Sequence, residues 1–348
     1  MRLGVMLGYS GGFIEAVEEV VAAEAAGVDL VVVPEAYSFD AVSQLGFVAA
    51  RTSRIELASG ILQLYTRTPS LLAMTAAGLD YVSGGRFSLG LGASGPQVIE
   101  GFHGVPYDFP LGRMREVVEI CRLIWRREPS VYDGKHYHLP LPEGLGTGLG
   151  KPLKVINHPV RERVPVIVAA VGPRNVALAA EIAEGWQPMF FVPELAAQVW
   201  AGPLATGAAL RDPRLGPLDV QVNVPFAITD EPGPMLERHR AMLALYIGGM
   251  GARGRNFSND LVRRYGYDRE ARLIQDLYLG GRRAEAAAAV PAELVRDTAL
   301  VGPLGYLERR LAAYASAGVT TILAAPLAPT PAERLASLAV LRSLTRQN

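Results

Sequence analysis

Ser83-Gly84-Gly85-Arg86-Phe87-Ser88-Leu89-Gly90-Leu91-Gly92-Ala93-Ser94-Gly95-Pro96 reads as a tight turn, a short buried strand and a glycine-rich loop that opens a helix. Gly84 and Gly85 suit the turn because glycine reaches positive φ without a Cβ penalty. Phe87, Leu89 and Leu91 alternate with small residues, as on a strand covered on both faces. Gly90 and Gly92 place no side chain in the way of a ligand. Ser94, Gly95 and Pro96 read as a helix start, with Ser94 in the capping position and Pro96 in the first turn. Backbone N–H groups at such a start face an anion well.

Gly90, Gly92 and Gly95 also satisfy the spacing G-x-G-x-x-G, which marks a dinucleotide-binding fold only when it follows the first strand. Here three strand-like runs come first, at residues 3–8, 29–34 and 55–61, separated by helical patterns. Phe13, Val17, Val20 and Val21 recur at helical spacing until Gly27; further helices are expected over 40–51 and 66–82. Strand and helix thus alternate four times in the first third of the chain, the pattern of a parallel sheet with crossover helices.

After Pro96 the rhythm slackens. A helix is expected over 111–125, and residues 129–153 read as loop and hairpin, with a turn at Tyr132-Asp133-Gly134-Lys135. The glycine-rich run 144–150 follows no strong strand and reads as a flexible loop. The alternation returns with strands at 164–170, 185–191, 220–228 and 319–324, a helix from Gly172-Pro173-Arg174-Asn175 to about Glu184, and a last helix over 331–344. Eight strands with crossover helices close as a (β/α)8 TIM barrel. The chain of 348 residues exceeds the roughly 250 that such a barrel needs. The surplus is expected in insertions, the largest a helical one at 230–303 between strands 7 and 8, over the C-terminal mouth. The whole of 1–348 reads as one domain.

Basic and acidic residues balance at 34 each, with no basic stripe for nucleic acid. No apolar run is long enough to span a bilayer, and the start is too short for a signal peptide, so a cytoplasmic protein is expected. The single cysteine, Cys121, excludes an internal disulfide and reads as a buried apolar residue. No G-x-S-x-G elbow or Walker lysine is present. His136 and His138 share a strand face but lack the ligand spacing of a metal site. His103 qualifies as a proton donor if its loop folds over the mouth.

Barrel function sits at the C-terminal strand ends. That places the candidate site at residues 8–12, 35–37, 60–66, 92–96, 169–175 and 188–191, and sends Arg86 to the opposite, structural face. Ser94-Gly95 and Gly172-Pro173-Arg174-Asn175 each present a helix start, the second with a guanidinium in the same turn. Two such loops on one face point to a phosphorylated ligand.

The chain resembles the bacterial luciferase-like superfamily, in its branch of oxidoreductases that use the deazaflavin coenzyme F420. The resemblance is carried by Val33-Pro34-Glu35-Ala36-Tyr37, Arg67-Thr68-Pro69, Ser83 through Gly92, Gly101-Phe102-His103-Gly104 and Ala169-Ala170-Val171-Gly172-Pro173. It implies that F420 lies in the mouth against the end of the third strand, where Gly60, Ile61 and Leu62 form a bulge with a non-prolyl cis peptide at Gly60-Ile61. It further implies Ala169 and Ala170 beside the ring, and Ser94, Gly95, Gly172, Pro173, Arg174 and Asn175 at the phosphate. Arg67, Arg174 and Arg253 are candidates to grip an acidic coenzyme tail, and Phe257 and Tyr278 to shape the pocket. Relatives carry histidine where Ala36 stands and some carry a carboxylate where Ala93 stands, so Glu35 and Tyr37 become the candidate catalytic residues. The implied activity is hydride transfer between F420 and a small organic substrate in a homodimer. The alternatives are an FMN-dependent monooxygenase of the same superfamily and a barrel that only binds a flavin.

Overall fold

The computed structural model describes residues 1–9 and 11–347. Ser10, expected in the loop after the first strand, lies outside them. Eight parallel strands form a closed ring: β1 (Arg2–Met6), β2 (Leu30–Val33), β3 (Glu56–Ser59), β4 (Phe87–Gly92), β5 (Val166–Ala169), β6 (Gly185–Gln187), β7 (Asp219–Ile228) and β8 (Thr321–Pro326). Each pairs with its sequence neighbour, and β8 closes on β1 through Arg2↔Thr321 to Val5↔Ala324. This is the (β/α)8 barrel that the alternation predicts. The outer ring comprises α1 (Phe13–Ala25), α2 (Ala41–Arg51), α3 (Pro69–Val82), α4 (Pro110–Trp125), α5 (Pro173–Ile182), α6 (Ala196–Ala208), α7 (Leu304–Ser316) and α8 (Pro331–Thr345).

Local chemistry sets the element ends. Asp40 caps α2 by accepting from the Ser43 N–H, Thr68 caps α3, and Thr330 forms a capping box with Glu333 on α8. Strand β3 stops at Ser59, two residues before its expected end. The Gly60–Ile61 peptide is cis, as the resemblance implies, and pairing with β4 resumes at Leu62–Gln63. The Ser59 hydroxyl spans the break, donating to the Gly90 carbonyl and accepting from the Gly90 N–H, both at 2.9 Å. A Cβ on Gly90 would overlap the Ser59 carbonyl oxygen, so only glycine lets the two backbones approach there.

Several boundaries differ from the expectation. Strand β6 ends at Gln187 rather than 191, because Pro188 has no N–H to donate and Phe190 takes a left-handed φ of 48°. Helix α6 was hidden by Gly202, Pro203 and Gly207 inside it, and α7 begins just past the expected end of the insertion. The hairpin of residues 129–153 is present as Tyr132–Asp133 paired with His138–Leu139. The insertion holds the two expected helices, as Phe257–Arg264 and Asp268–Leu279, together with Gly233–Ala244, a π-helical turn at Leu245–Gly249 and two short helices. It also ends in a strand, Leu300–Gly302, which was not expected. That strand pairs with the upper part of β7 (Phe226↔Leu300 to Ile228↔Gly302), where β6 has already ended; β6 meets β7 only at Asp219 and Val220. Among the described residues no helix is long and apolar enough to cross a membrane.

Candidate active site at the barrel mouth

Alternation along each strand divides the barrel residues into two sets. Val5, Val33, Leu91, Val168, Val222 and Val224 pack outward into the main core beneath the helices. The intervening positions face the lumen. Leu30, Val32, Ala58 and Leu323 plug its lower half, and Met6 packs on top of them. Above this plug the lining residues are small. A Cβ on Gly60 would overlap Val32 and stand 3.3 Å from Met6 Cε; one on Gly92 would lie 2.9 Å from Ile61 Cδ1 and 3.6 Å from Ala169 Cβ. Gly60, Gly92 and Ala169 therefore form a small-residue wall, with the Ile61 side chain packed beside Gly92. Leu62 and Ala170, expected beside them, point the other way: both are buried in the outer core, and the Ala170 carbonyl accepts from Trp186 Nε1. They can offer the site only backbone.

The loop after β2 is fixed by an ion pair. Arg67 donates to both oxygens of Glu35, at 2.6 and 2.9 Å, and to Asp40 at 2.6 Å, while Glu35 also accepts from the Ala41 N–H at 3.0 Å. The Glu35 and Arg67 side chains are only 9% and 14% exposed. Bonding to Glu35 raises the Arg67 pKa. Burial pushes Asp40 up, but Ser43 and Arg67 outweigh it and hold the carboxyl below its ordinary value. Glu35 is thus a fixed anion that anchors the start of α2, and the arginine proposed to grip a coenzyme tail is already engaged. What this loop presents to the mouth is Tyr37, exposed and tilted against Phe102, with ring centroids 6.2 Å apart.

Other aromatic groups complete the rim. Phe102 meets His103 edge-on at 5.0 Å, and His103 Nε2 is buried with no partner among the described residues. Tyr246, on the π-helical turn, packs edge-on to Phe190 at 5.5 Å. Desolvation, with the fields of Tyr246 and Tyr37, pushes the Tyr9 phenol up to about 12. Burial, then Tyr37, raises Tyr246 as well. These phenols stay protonated at neutral pH and are hydrogen-bond donors there.

The two anion loops differ. Ser94 takes a left-handed φ of 58° and makes no cap; Gly95 is the N-cap of a helix of only four residues, Pro96–Ile99. The Ser94 carbonyl accepts from Tyr107 Oη at 3.4 Å. The second loop is better built. Gly172 caps the ten-residue α5 without a side chain; among the described residues Arg174 is exposed with no hydrogen bond or ion pair, and Asn175 Oδ1 is buried without a partner. A bare helix start beside a free guanidinium is an anion cradle.

Other candidates lie elsewhere. Arg86 ties the opposite barrel end together, donating to the Ser83, Ile55, Ala49 and Thr52 carbonyls. His136 stacks on Phe109 and His138 pairs with Asp133. Arg253 pairs with Asp276, and Tyr278 packs against Gly248 and Gly249 within the insertion, while Phe257 is exposed. Sequence reasoning missed Tyr246 and Gln187 near the mouth, and gave Gln63, inside the candidate stretch 60–66, no role of its own. It also missed Asn223, an exposed side chain in the middle of β7. Gln63 Nε2 donates to the Ala36 carbonyl, and its Oε1 is buried with no partner among the described residues. The orphaned acceptors, small-residue wall and open α5 start suit a ring-bearing, phosphorylated ligand.

A family model described as luciferase-like monooxygenase matches residues 1–321. A Mycobacterium tuberculosis protein assigned as a coenzyme F420-dependent oxidoreductase is 42% identical over 330 residues, covering 93% of this chain and 94% of its own. The coenzyme F420-dependent tetrahydromethanopterin reductase of Methanopyrus kandleri superposes with a TM-score of 0.80 at 22% identity, over 97% of each chain. An F420-dependent secondary alcohol dehydrogenase, solved with an F420–acetone adduct, gives 0.74 at 16% identity over 99% of each chain. These two structures share its fold. The chain belongs to the luciferase-like monooxygenase family, within its coenzyme F420-dependent oxidoreductase branch.

Proposed function

We propose that this protein oxidises or reduces a small organic substrate at the barrel mouth with coenzyme F420, and that the residues brought together there divide the work. When bound, F420 supplies a ring carbon that gives or accepts a hydride. Gly60, Ile61 and Ala169, with the backbone of Leu62 and Ala170 behind them, form the wall for a flat ring. Gly172, Pro173, Arg174 and Asn175 hold the phosphate, with Ser94 and Gly95 on the other side. Glu35 acts as a positioning residue: by fixing Arg67 and α2 it sets the loop that carries Tyr37. Tyr37, on the rim, is assigned the proton on the substrate's reacting oxygen or nitrogen.

The observation that carries this reading is the open start of α5, with an Arg174 that is unpaired among the described residues, on the same barrel face as the small-residue wall. The 42% identity to an F420-assigned protein supports the choice of coenzyme. The exposed apolar residues Leu71, Met74, Tyr81 and Val82 along α3 support a homodimer, and the buried Cys121, its thiol pushed up to about 12 by burial, suits a reducing compartment.

Titration with F420 and, separately, FMN, followed by ligand fluorescence, tests the coenzyme. Micromolar binding of F420 alone is expected; selective binding of FMN would sink the proposal. A screen of alcohols, imines and enones then identifies a substrate. With it, Tyr37→Phe should lower kcat by about a hundredfold, the usual range for a lost proton donor.

A further inference from the structure

We propose that Asn223 is the recognition residue of the barrel floor and that it reads a neutral edge carrying a carbonyl and an N–H side by side, as in an amide or imide. The inference rests on the F420-dependent reading of the mouth and deepens it by naming the chemistry its deepest point accepts.

Asn223 lies in the middle of β7, between Val222 and Val224, which are 0% and 1% exposed in the outer core. Its strand partner is Leu323, a member of the lumen plug. Asn223 therefore points inward, and its exposure shows that the lumen is open to that depth. It has no hydrogen-bond partner among the described residues.

The barrel register identifies what it faces. From Asn223 the strand partners run through Leu323, Gly4 and Leu30 to Glu56, half-way round the ring. In an eight-stranded barrel of shear eight, strand tilt raises the level-matched residue by about four places over half a turn. Gly60 is thus opposite Asn223 across the lumen. Layers in such barrels draw four side chains from alternate strands. Met6 and Ala169, on β1 and β5, complete this one, as the proximity of Met6 to Gly60 and of Ala169 to Gly92 agrees. A thioether, a glycine and an alanine leave the Asn223 carboxamide as the hydrogen-bonding side chain of the layer.

That composition restricts the ligand. No charged residue belongs to the layer, so an ionised group seated there would lose water without gaining a counter-charge. A carboxamide has both a donor and an acceptor end. Covering it leaves one end unsatisfied unless the ligand supplies the complement of both. An amide or imide edge does so in one plane. The coenzyme ring carries an imide edge, and a substrate amide carries the same pattern.

Two probes distinguish these sources. The first is the 5-deazaflavin ring system without its phosphate tail, compared with its N3-methyl derivative, which lacks the imide N–H. Binding to wild type, Asn223→Leu and the nearly isosteric Asn223→Asp is followed by probe fluorescence. If Asn223 reads the ring, methylation weakens wild-type binding about tenfold, the value of one good hydrogen bond, and has no effect in Asn223→Leu. The second probe is benzamide, titrated calorimetrically with and without F420, with benzoate as the charged control. If Asn223 reads a second ligand, benzamide binding falls about tenfold in both variants while ring binding holds. The proposal is overturned if neither probe responds to loss of Asn223, or if benzoate binds wild type as tightly as benzamide. Failure of the coenzyme reading has a separate signature: wild type ignores F420 while benzamide discrimination persists.

Discussion

Replacing His239 with glutamine should remove most of one component of this protein's acid sensitivity. His239 sits on the helix Gly233–Ala244 of the insertion and is 4% exposed. The Thr298 hydroxyl donates to the Leu294 carbonyl at 2.6 Å, so at 2.7 Å it accepts from His239 Nε2–H. The remaining nitrogen, Nδ1, is buried with no partner among the described residues. A proton added there would be a buried charge with nothing to receive its N–H, and burial accordingly lowers the pKa from 6.5 to about 4. The folded-state value lies below the unfolded one. The contribution is therefore complete above about pH 6.5 and drains as pH falls toward 4, because the unfolded chain takes up a proton that the fold refuses. By linkage the loss is about 2 kcal/mol at pH 5 and about 3 kcal/mol over the whole window. The assay is urea unfolding by tryptophan fluorescence at pH 7.5 and pH 5, for wild type and His239→Gln. Wild type should lose about 2 kcal/mol more than the variant between the two; equal losses would refute the assignment.

Three further outcomes follow from the same geometry. Arg67→Ala strands the nearly buried Glu35 and should cost about 3 kcal/mol in urea unfolding, with Glu35→Gln/Arg67→Met recovering much of it; an unchanged midpoint would show that the pair is surface-like. Gly92→Val puts a branched side chain onto Ile61 and should abolish F420 fluorescence binding while circular dichroism stays native, so retained affinity removes the wall from the site. Arg174→Ala should weaken F420 about tenfold and flatten the salt dependence of binding, whereas Arg253→Ala, already paired with Asp276, should do neither.

The barrel was legible because its strands are short apolar runs punctuated by glycine and proline. Residues 83–96 carry turn, strand and loop in one stretch, and Asp40, Thr68 and Thr330 announce their helices. Inward and outward facing were harder to read. Leu62 and Ala170 adjoin Ile61 and Ala169 in sequence, yet a period of two turns them into the outer core. Asn223 looked like the polar half of an ordinary alternation, Val-Gln-Val-Asn-Val, and only barrel closure makes it face the lumen. Glu35 was visible as a carboxylate at a strand end, but the residue that occupies it, Arg67, lies a full β-α unit away. Tyr246 reaches the rim from a π-helical turn, a local hydrogen-bond shift without a sequence signature at this length.

The pairing of Leu300–Gly302 with the top of β7 has an evolutionary consequence. The chain leaves the barrel at Ile228 and returns within one strand spacing of it, where Thr229 N–H donates to the Gly302 carbonyl at 3.0 Å. Everything between is a cassette whose two ends are neighbours. It can be shortened, lengthened or exchanged for another relative's without asking the eight-stranded ring to change its register. Sequence change can accumulate in this segment while the eight strands keep their pairing.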